Sequence, residues 1–466
     1  MSTEEPFKSG ESIIDQNTRQ ATSLFPSHIK ILLRLRVKRL SLQGSLVRSE
    51  VLQCENASHL DLLILSFSGN GDTEAKLQNF MSTATHLTHL ECHDFCTDSM
   101  LKVISSSCHN LYSLNLHGCN VTDEGILNLC GLTQNLVQCI NLLSNGQRII
   151  PKSRCFFSLK KIELKFMTKV TEAGVAIILL LLTNINVLRV PDIRMEKLFW
   201  FLSSVDHKGV QSNLKQFHSG EILDEDQLSV LTRLCPNLED IQMSYVGNFD
   251  IDLIRLHKLT SLQRLSEAEF ADANTDALMI YLSEIGSQLN YLKLYIRRTK
   301  FSQEQLKIAQ SHLRNLARLC PNVSHLSLDG YSLDEDSSLV RNNENSYHFF
   351  QSLHTLKLLN MKLSVEDLKL FLCKCTNMKD LELRLKDPHV LNDYFINDLL
   401  KEEVWKNLKI LNIANSHITF KMMMRLINEC PNLVSLGSVT TWHITRDQMM
   451  ACKEMARKRN LNIEIS

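Results

Sequence analysis

An α/β solenoid, with one short strand and one helix per unit, is the fold this sequence predicts, and three observations predict it. The pattern L-x-x-L-x-L, with Ile, Val, Met, Phe or Cys admitted at its apolar places, starts 15 times at intervals of 23 to 34 residues. Most copies are followed by a helix-start residue and an apolar helical stretch. A cysteine recurs three residues before many of the starts. Self-similarity at such a period marks a repeat array, in which each unit buries its apolar side against the next.

In chain order, residues 1 to 22 are polar and read as a disordered N-terminus. Residues 23 to 59 open on LFPSHIKILLRLRVKRL, an amphipathic helix with Pro26 near its first turn, and are expected to cap the first unit. Residues 60 to 440 form the array, about 15 units long. Clear copies start at Leu60, Leu87, Leu111, Leu159, Leu238, Leu289, Val323, Leu353, Met378 and Leu408. Weaker ones start at Leu136, Ile185, Leu214, Leu262 and Leu433. Residues 441 to 466 supply a last helix, ITRDQMMACKEMARKR, and an edge strand alternating Leu461, Ile463 and Ile465.

Within each motif the fourth and sixth places lie two apart, so both point to one face of a short strand. They enter the core, while the third and fifth places face outward. Helix starts are expected at Asp123, Thr171, Asp224, Ser302 (a capping box with Gln305), Ser364 and Thr419. Stacking such units gives a leucine-rich-repeat horseshoe, with a parallel sheet on the concave side and helices on the convex side. Three stretches exceed the normal unit: Pro191 to Asn213 with the apolar MEKLFWFLSSV, Asp329 to Ser352, and Lys386 to Lys406. Long loops on a rigid array serve as partner-binding segments or as tolerated insertions, and the sequence leaves both readings open.

Cys108, Cys235, Cys320, Cys375 and Cys430 stand in CHNL, CPNL, CPNV, CTNM and CPNL. At the last turn of an inward helix, cysteine acts as a small buried hydrophobe, and the Asn can bond backbone groups in the turn. Cys119 occupies the turn after LNLHG. The segment CHNLYSLNLHGCNVTDEGIL, Cys108 to Leu127, resembles the unit of the cysteine-containing leucine-rich repeats. Such repeats are typical of F-box/leucine-rich-repeat proteins, the substrate-recognition subunits of cullin-based ubiquitin ligases, and the resemblance covers roughly residues 37 to 466. It implies a protein substrate in the concavity and ligase adaptor and cullin subunits docked near the N-terminus. The F-box itself is not legible: only Leu24-Phe25-Pro26 echoes its Leu-Pro start, and the stretch before Leu60 is short and taken up by the cap. A free-standing scaffold or inhibitor of the horseshoe type is the alternative.

Hydrophobic residues make up 44% and charged residues 22%, near soluble averages. Formal net charge is zero, with 51 basic and 51 acidic residues, so no nucleic-acid or anionic-membrane partner is expected. The basic cluster Lys30, Arg34, Arg36, Lys38 and Arg39 reads as a solvated helix face. The N-terminus lacks an apolar signal core, and the 14 cysteines read as free thiols of a reducing compartment, the cytosol or the nucleus.

No enzymatic chemistry is legible. Phosphate loops of the G-x-x-x-x-G-K type, G-x-S-x-G, H-E-x-x-H and C-x-x-C motifs do not occur. His86, His89, Cys92, His93 and Cys96 are the densest metal-type cluster, but strand geometry sends His89 and His93 outward and Cys92 inward, so they read as ordinary repeat residues. Cys373 and Cys375 also read as structural. No catalytic, cofactor or metal residue is expected. The expected site is the concave face, where the third and fifth places hold His89 and Glu91, Asn115, Lys161 and Glu163, Asp240 and Gln242. Further along they hold Tyr291 and Lys293, His325, Lys357, Asp380 and Glu382. Tyr291 and Tyr295 are the expected anchors, because tyrosine offers contact area at low entropy cost.

Overall fold

The computed structural model describes residues 36–43, 57–66, 71–147, 149–204, 211–218, 225–242, 258–270, 275–296, 307–308, 316–330, 332–333, 350–402 and 404–466. They belong to two compact units, Met1–Leu238 and Glu239–Ser466. The expected N-terminal disorder, the capping helix before residue 36, and the helix starts at Asp224 and Ser302 lie outside the described residues.

The first unit carries β1 (Arg39–Gln43), β2 (Leu62–Ser66), β3 (His89–His93), β4 (Ser113–His117), β5 (Lys161–Lys165), β6 (Val187–Arg189) and β7 (Gln216–His218). Each pairs in parallel with the next, as in Leu90↔Leu114 and Leu114↔Ile162. The second unit carries β8 (Asp240–Gln242), β9 (Arg264–Phe270), β10 (Tyr291–Ile296), β11 (Lys307–Ile308), β12 (His325–Asp329), β13 (Ser332–Leu333), β14 (Thr355–Met361), β15 (Asp380–Leu385), β16 (Ile410–Ala414), β17 (Ser435–Gly437) and β18 (Glu464–Ile465). Here too the main-sheet strands follow chain order in parallel, and β11 and β13 pair apart as a small second sheet. Parallel neighbours in chain order, with helices in described crossovers such as Gly71–Thr83, Asp98–Ser107, Val365–Lys374 and Phe420–Glu429, make both units leucine-rich-repeat solenoids of the α/β type.

The core lies where the period-two pattern puts it. Leu90 and Cys92, Leu114 and Leu116, Leu326 and Leu328, and Leu381 and Leu383 are all buried at the fourth and sixth places. Buried with them are helix residues such as Met100, Leu101 and Ile104, or Met422, Met423 and Leu426. Each leucine removed from water contributes about 2 kcal/mol before entropy is counted.

A series of buried cysteines and two ladders that join successive units explain the repeat's fixed letters. Cys108, Cys235, Cys320, Cys375 and Cys430 are buried, and burial pushes each thiol up to about 12. The asparagine two places later reaches back one unit: Asn110, Asn322, Asn377 and Asn432 donate to the carbonyls of Thr85, Ser287, Gln351 and Lys406. The second ladder joins helix starts. Asp98 accepts from the backbone N–H and hydroxyl of Thr122 at 2.7 and 2.6 Å, and Asp123 does the same for Thr171 at 2.8 and 2.6 Å. In the second unit Asp393 holds Thr419 likewise. A Cβ on Gly125 or Gly174 would overlap the Oδ1 of Asp98 or Asp123, so these bridges require glycine there.

The eighth place of the motif adds a backbone rule. Asp94, Gly118, Phe166, Gly330, Asn360 and Asn415 all stand there with φ between 53° and 85°. Glycine, asparagine and aspartate tolerate this left-handed turn, whereas a phenylalanine is strained in it.

Three expectations change. Leu136 does not start a strand: Leu136–Ser144 is a helix, opened by a capping box between Asn135 and Gln138 and burying Cys139 and Leu143 four apart. β4 pairs directly with β5, so residues 131 to 158 are an excursion between adjacent units. Arg39–Gln43, inside the stretch expected as a cap, is a strand, and VKRLSL is a further copy of the motif. At the start expected on Asp123, Thr122 is the cap, and Asp123 instead bonds the next unit. Thr419 starts its helix, but its hydroxyl donates to Asp393 and makes no cap bond. Of the long stretches, Pro191 to Asn213 contains the helix Met195–Ser204, and Lys386 to Lys406 holds the helix Asp393–Lys401.

Candidate binding face

Strand register sets the third and fifth places of neighbouring units side by side, on the side opposite the buried leucines. In the first unit one row reads Arg39, Leu62, His89, Ser113, Lys161, Val187, Gln216, and the other Ser41, Ile64, Glu91, Asn115, Glu163, Arg189, His218. His89, Glu91, Asn115, Lys161 and Glu163 are therefore brought onto one face, as the period predicts.

Glu163 is the centre of this face. It is only 4% exposed, yet three cations converge on it: Lys161 Nζ at 2.7 Å and Arg189 Nη1 at 3.1 Å from Oε1, and Lys165 Nζ at 3.0 Å from Oε2. Burial alone would raise its pKa, but the hydrogen bonds from Lys161 and Lys165 and the nearby Arg189 overcome it and hold the carboxyl at about 2. His89 sits between Lys161 and Arg39; burial first, then these two charges, lowers its pKa. Its ring lies 5.8 Å from that of Tyr112, which is 46% exposed. Along the seventh places, His93 bonds Glu91 at 2.6 Å and lies 5.0 Å from His117, which meets Phe166 edge-on at 4.9 Å. Phe166 is 62% exposed, and its amide donates to Asp192. Cys92, by contrast, is buried beneath this face.

In the second unit Asp240 is buried and pairs with Arg264 Nε at 3.3 Å. The Arg264 guanidinium lies 4.3 Å from the Tyr291 ring centre, and Tyr291 stacks on His325 at 5.8 Å. Burial, followed by Arg264, lowers the His325 pKa. Thr355 donates to Asp380, and Lys357 pairs with Glu382 at 2.8 Å. Gln242 and Lys293 hold fifth places on β8 and β10. Tyr295 lies on β10 opposite Asp329 of β12, and its side chain is outside what is described.

Sequence reasoning missed Lys165, Arg189, His117, Tyr112, Phe166 and Arg264. Arg189 and Arg264 do occupy a fifth and a third place, but of the weak copies starting at Ile185 and Leu262. His117 and Lys165 are seventh places, one strand step beyond the places read. A second omission is a column of histidines on turns of the second unit, His389, His417 and His443, with ring centres 4.4 and 4.2 Å apart. Their separation of more than 25 residues in sequence hides it.

No protein-family model and no curated protein matches the sequence. Among solved structures, the chain is similar to an internalin from Listeria monocytogenes, at 12% identity over 97% of this chain and 92% of that one, with a TM-score of 0.34. It is similar to a chain of the yeast Rad7–Elc1 complex at 14% identity over 93% and 87%, with a TM-score of 0.40. To TLR13 in complex with ssRNA13 it is similar at 12% identity, over 83% of this chain and 59% of that one, with a TM-score of 0.39. At such identities these likenesses concern the repeat fold alone.

Proposed function

We propose that this chain is a non-enzymatic repeat protein that binds another protein on the open face of its sheets. One observation carries the reading: the outward side chains are held in position before any partner arrives. Lys161, Lys165 and Arg189 are locked on Glu163, Arg264 and His325 flank Tyr291, and Lys357 is paired with Glu382. Side chains already ordered lose less entropy on association, which favours binding. Mixed charge with interleaved aromatics also suits a protein surface.

Within that reading, the role is substrate recognition in an SCF-type ubiquitin ligase, in the cytosol or nucleus, with adaptor and cullin subunits as partners. The cysteine-containing repeat, with its Thr–Asp and Asn ladders, supports it. Strand β1 favours the alternative of a scaffold or inhibitor, because residues 39–43 belong to the array and not to a helical adaptor-docking module.

Two measurements test these levels separately. A photo-crosslinking residue at Lys161 or Lys357 should yield protein adducts in cells, and one at helix-borne Lys102 should not; equal or absent labelling would sink the binding face. Co-elution of the full chain with purified adaptor and cullin is the expected ligase result, and failure to retain the adaptor overturns that role while leaving the face intact.

A further inference from the structure

The face around Glu163 has a sign and an anomaly. At the third, fifth and seventh places of β1 to β7 stand four cations, Arg39, Lys161, Lys165 and Arg189, against two carboxylates, Glu91 and Glu163. Glu91 is engaged by His93. The surplus is positive: Lys161, Lys165 and Arg189 cluster around Glu163 on β5 and β6, and Arg39 stands on β1, four strands from β5, about 19 Å away. In the comparable places of β8 to β18, Asp240, Asp329, Asp380, Glu382 and Glu464 offset Arg264, Lys293, Lys357 and Arg384.

The anomaly is Phe166. The other eighth places that take a left-handed turn are glycine, asparagine or aspartate, the residues that accept it, yet Phe166 holds φ 54°. A bulky side chain is strained in that conformation, and such outliers concentrate at functional positions. The ring is not buried in compensation: it stands exposed beside Lys165, backed edge-on by His117. Strain that yields no packing is explained if the ring is there to be contacted.

From this juxtaposition we infer that the open face of the first unit docks an extended acidic segment of a partner protein, with carboxylates resting on Lys161, Lys165 and Arg189 and a neighbouring apolar side chain on Phe166. The inference rests on the reading of these faces as protein-binding and adds the partner's chemistry. Because Arg39 stands four strands from that cluster, several carboxylates along an extended chain can meet all four cations, whereas one doubly charged phosphate meets the cluster alone. The exposed Tyr112, at the opposite margin beside His89, offers a second apolar contact. Complementary charge also predicts salt-sensitive association.

The test uses the full chain and four dye-labelled decapeptides alternating Phe with Glu, Gln, Lys or phosphoserine, followed by fluorescence anisotropy at low and high salt. The Glu/Phe peptide should bind, weaken with salt, and lose at least about tenfold in affinity in Lys161→Glu/Lys165→Glu, a change of about 1.4 kcal/mol. Lys102→Glu, on a helix, should leave binding unchanged. Phe166→Asn is the decisive variant: it should raise the Tm by relieving the turn while weakening binding, a combination that a purely structural role would not give. Equal binding of Glu/Phe and Gln/Phe, or insensitivity to the charge reversals, overturns the inference. Binding of the phosphoserine peptide alone overturns it in favour of a phosphorylated partner. If no peptide binds while the crosslinker at Lys357 still captures protein, this inference fails alone; if both fail, the binding-face reading falls with it.

Discussion

Glu163 shows how one residue can be both buried and charged. Its pKa falls from 4.5 to about 2, so its contribution to stability is complete above pH 4.5 and is lost as pH falls through about 2. After allowance for the part-exposed cations, that contribution is about 2 kcal/mol. Glu163→Gln should therefore lower the Tm at pH 7, since three cations lose their anion, and should flatten the acid-side decline of Tm between pH 4.5 and 2. An unchanged acid limb would show that the carboxylate is not the group titrating. The strand face of Glu163 is legible from the repeat period. Its partners are less so: Lys161 stands at a motif place, but Lys165 lies one step beyond the motif and Arg189 sits in a copy whose leucines are replaced. Short-range pattern finds which way a side chain points, and cross-strand geometry decides what it meets.

Among elements, the Thr–Asp bridges tie one helix start to the next. Gly125→Ala places a methyl group on the Asp98 carboxylate that holds Thr122, and should destabilise the first unit by about 1–3 kcal/mol. Asp98→Ala should cost about 1–2 kcal/mol. The two changes strike the same bridge, so the double variant should cost clearly less than their sum, measured as Tm or denaturant midpoint. Full additivity would mean that the glycine serves some other contact. Strands are easy to find because leucines two apart recur in register. Helix starts are harder, because a Thr-Asp pair offers two capping candidates and only the next unit shows which one it claims. Leu136 misleads for a related reason: L-x-x-C-x-N satisfies the strand motif loosely, while Asn135 and Gln138 make the helix. The histidine column belongs to this scale as well. Burial and the neighbouring His443 and His389 lower the His417 pKa, against Asp387, so the fold loses stability as pH drops below 6.5, where the unfolded chain takes up the proton more readily than the folded one. His417→Asn should flatten the Tm decline between pH 7 and 5; an unaltered slope would clear the column of any part in it.

At the level of the whole molecule, the cysteines are distributed reporters. Cys108, Cys130 and Cys155 in the first unit and Cys320, Cys375 and Cys430 in the second are buried, with thiols pushed up to about 12. Thiolate is the reactive form, so native protein should resist alkylating reagents at these sites, and part-exposed Cys373 should react first among the described cysteines. In a urea titration followed by mass-resolved labelling, thiols of one unit should become reactive together. Labelling of Cys108 or Cys320 without denaturant would contradict their placement.

The excursion between β4 and β5 is anchored at its inner parts, since Cys155 and Phe156 are buried and Ser153 bonds the Ser105 carbonyl. Its outer turn is open: a Cβ added to Gly146 would meet nothing within 4 Å. Because the sheet closes beneath it, a fluorescent tag or a small foreign domain grafted between Asn145 and Gly146 would ride on the array without entering its lattice, giving a handle for following the chain and whatever it holds.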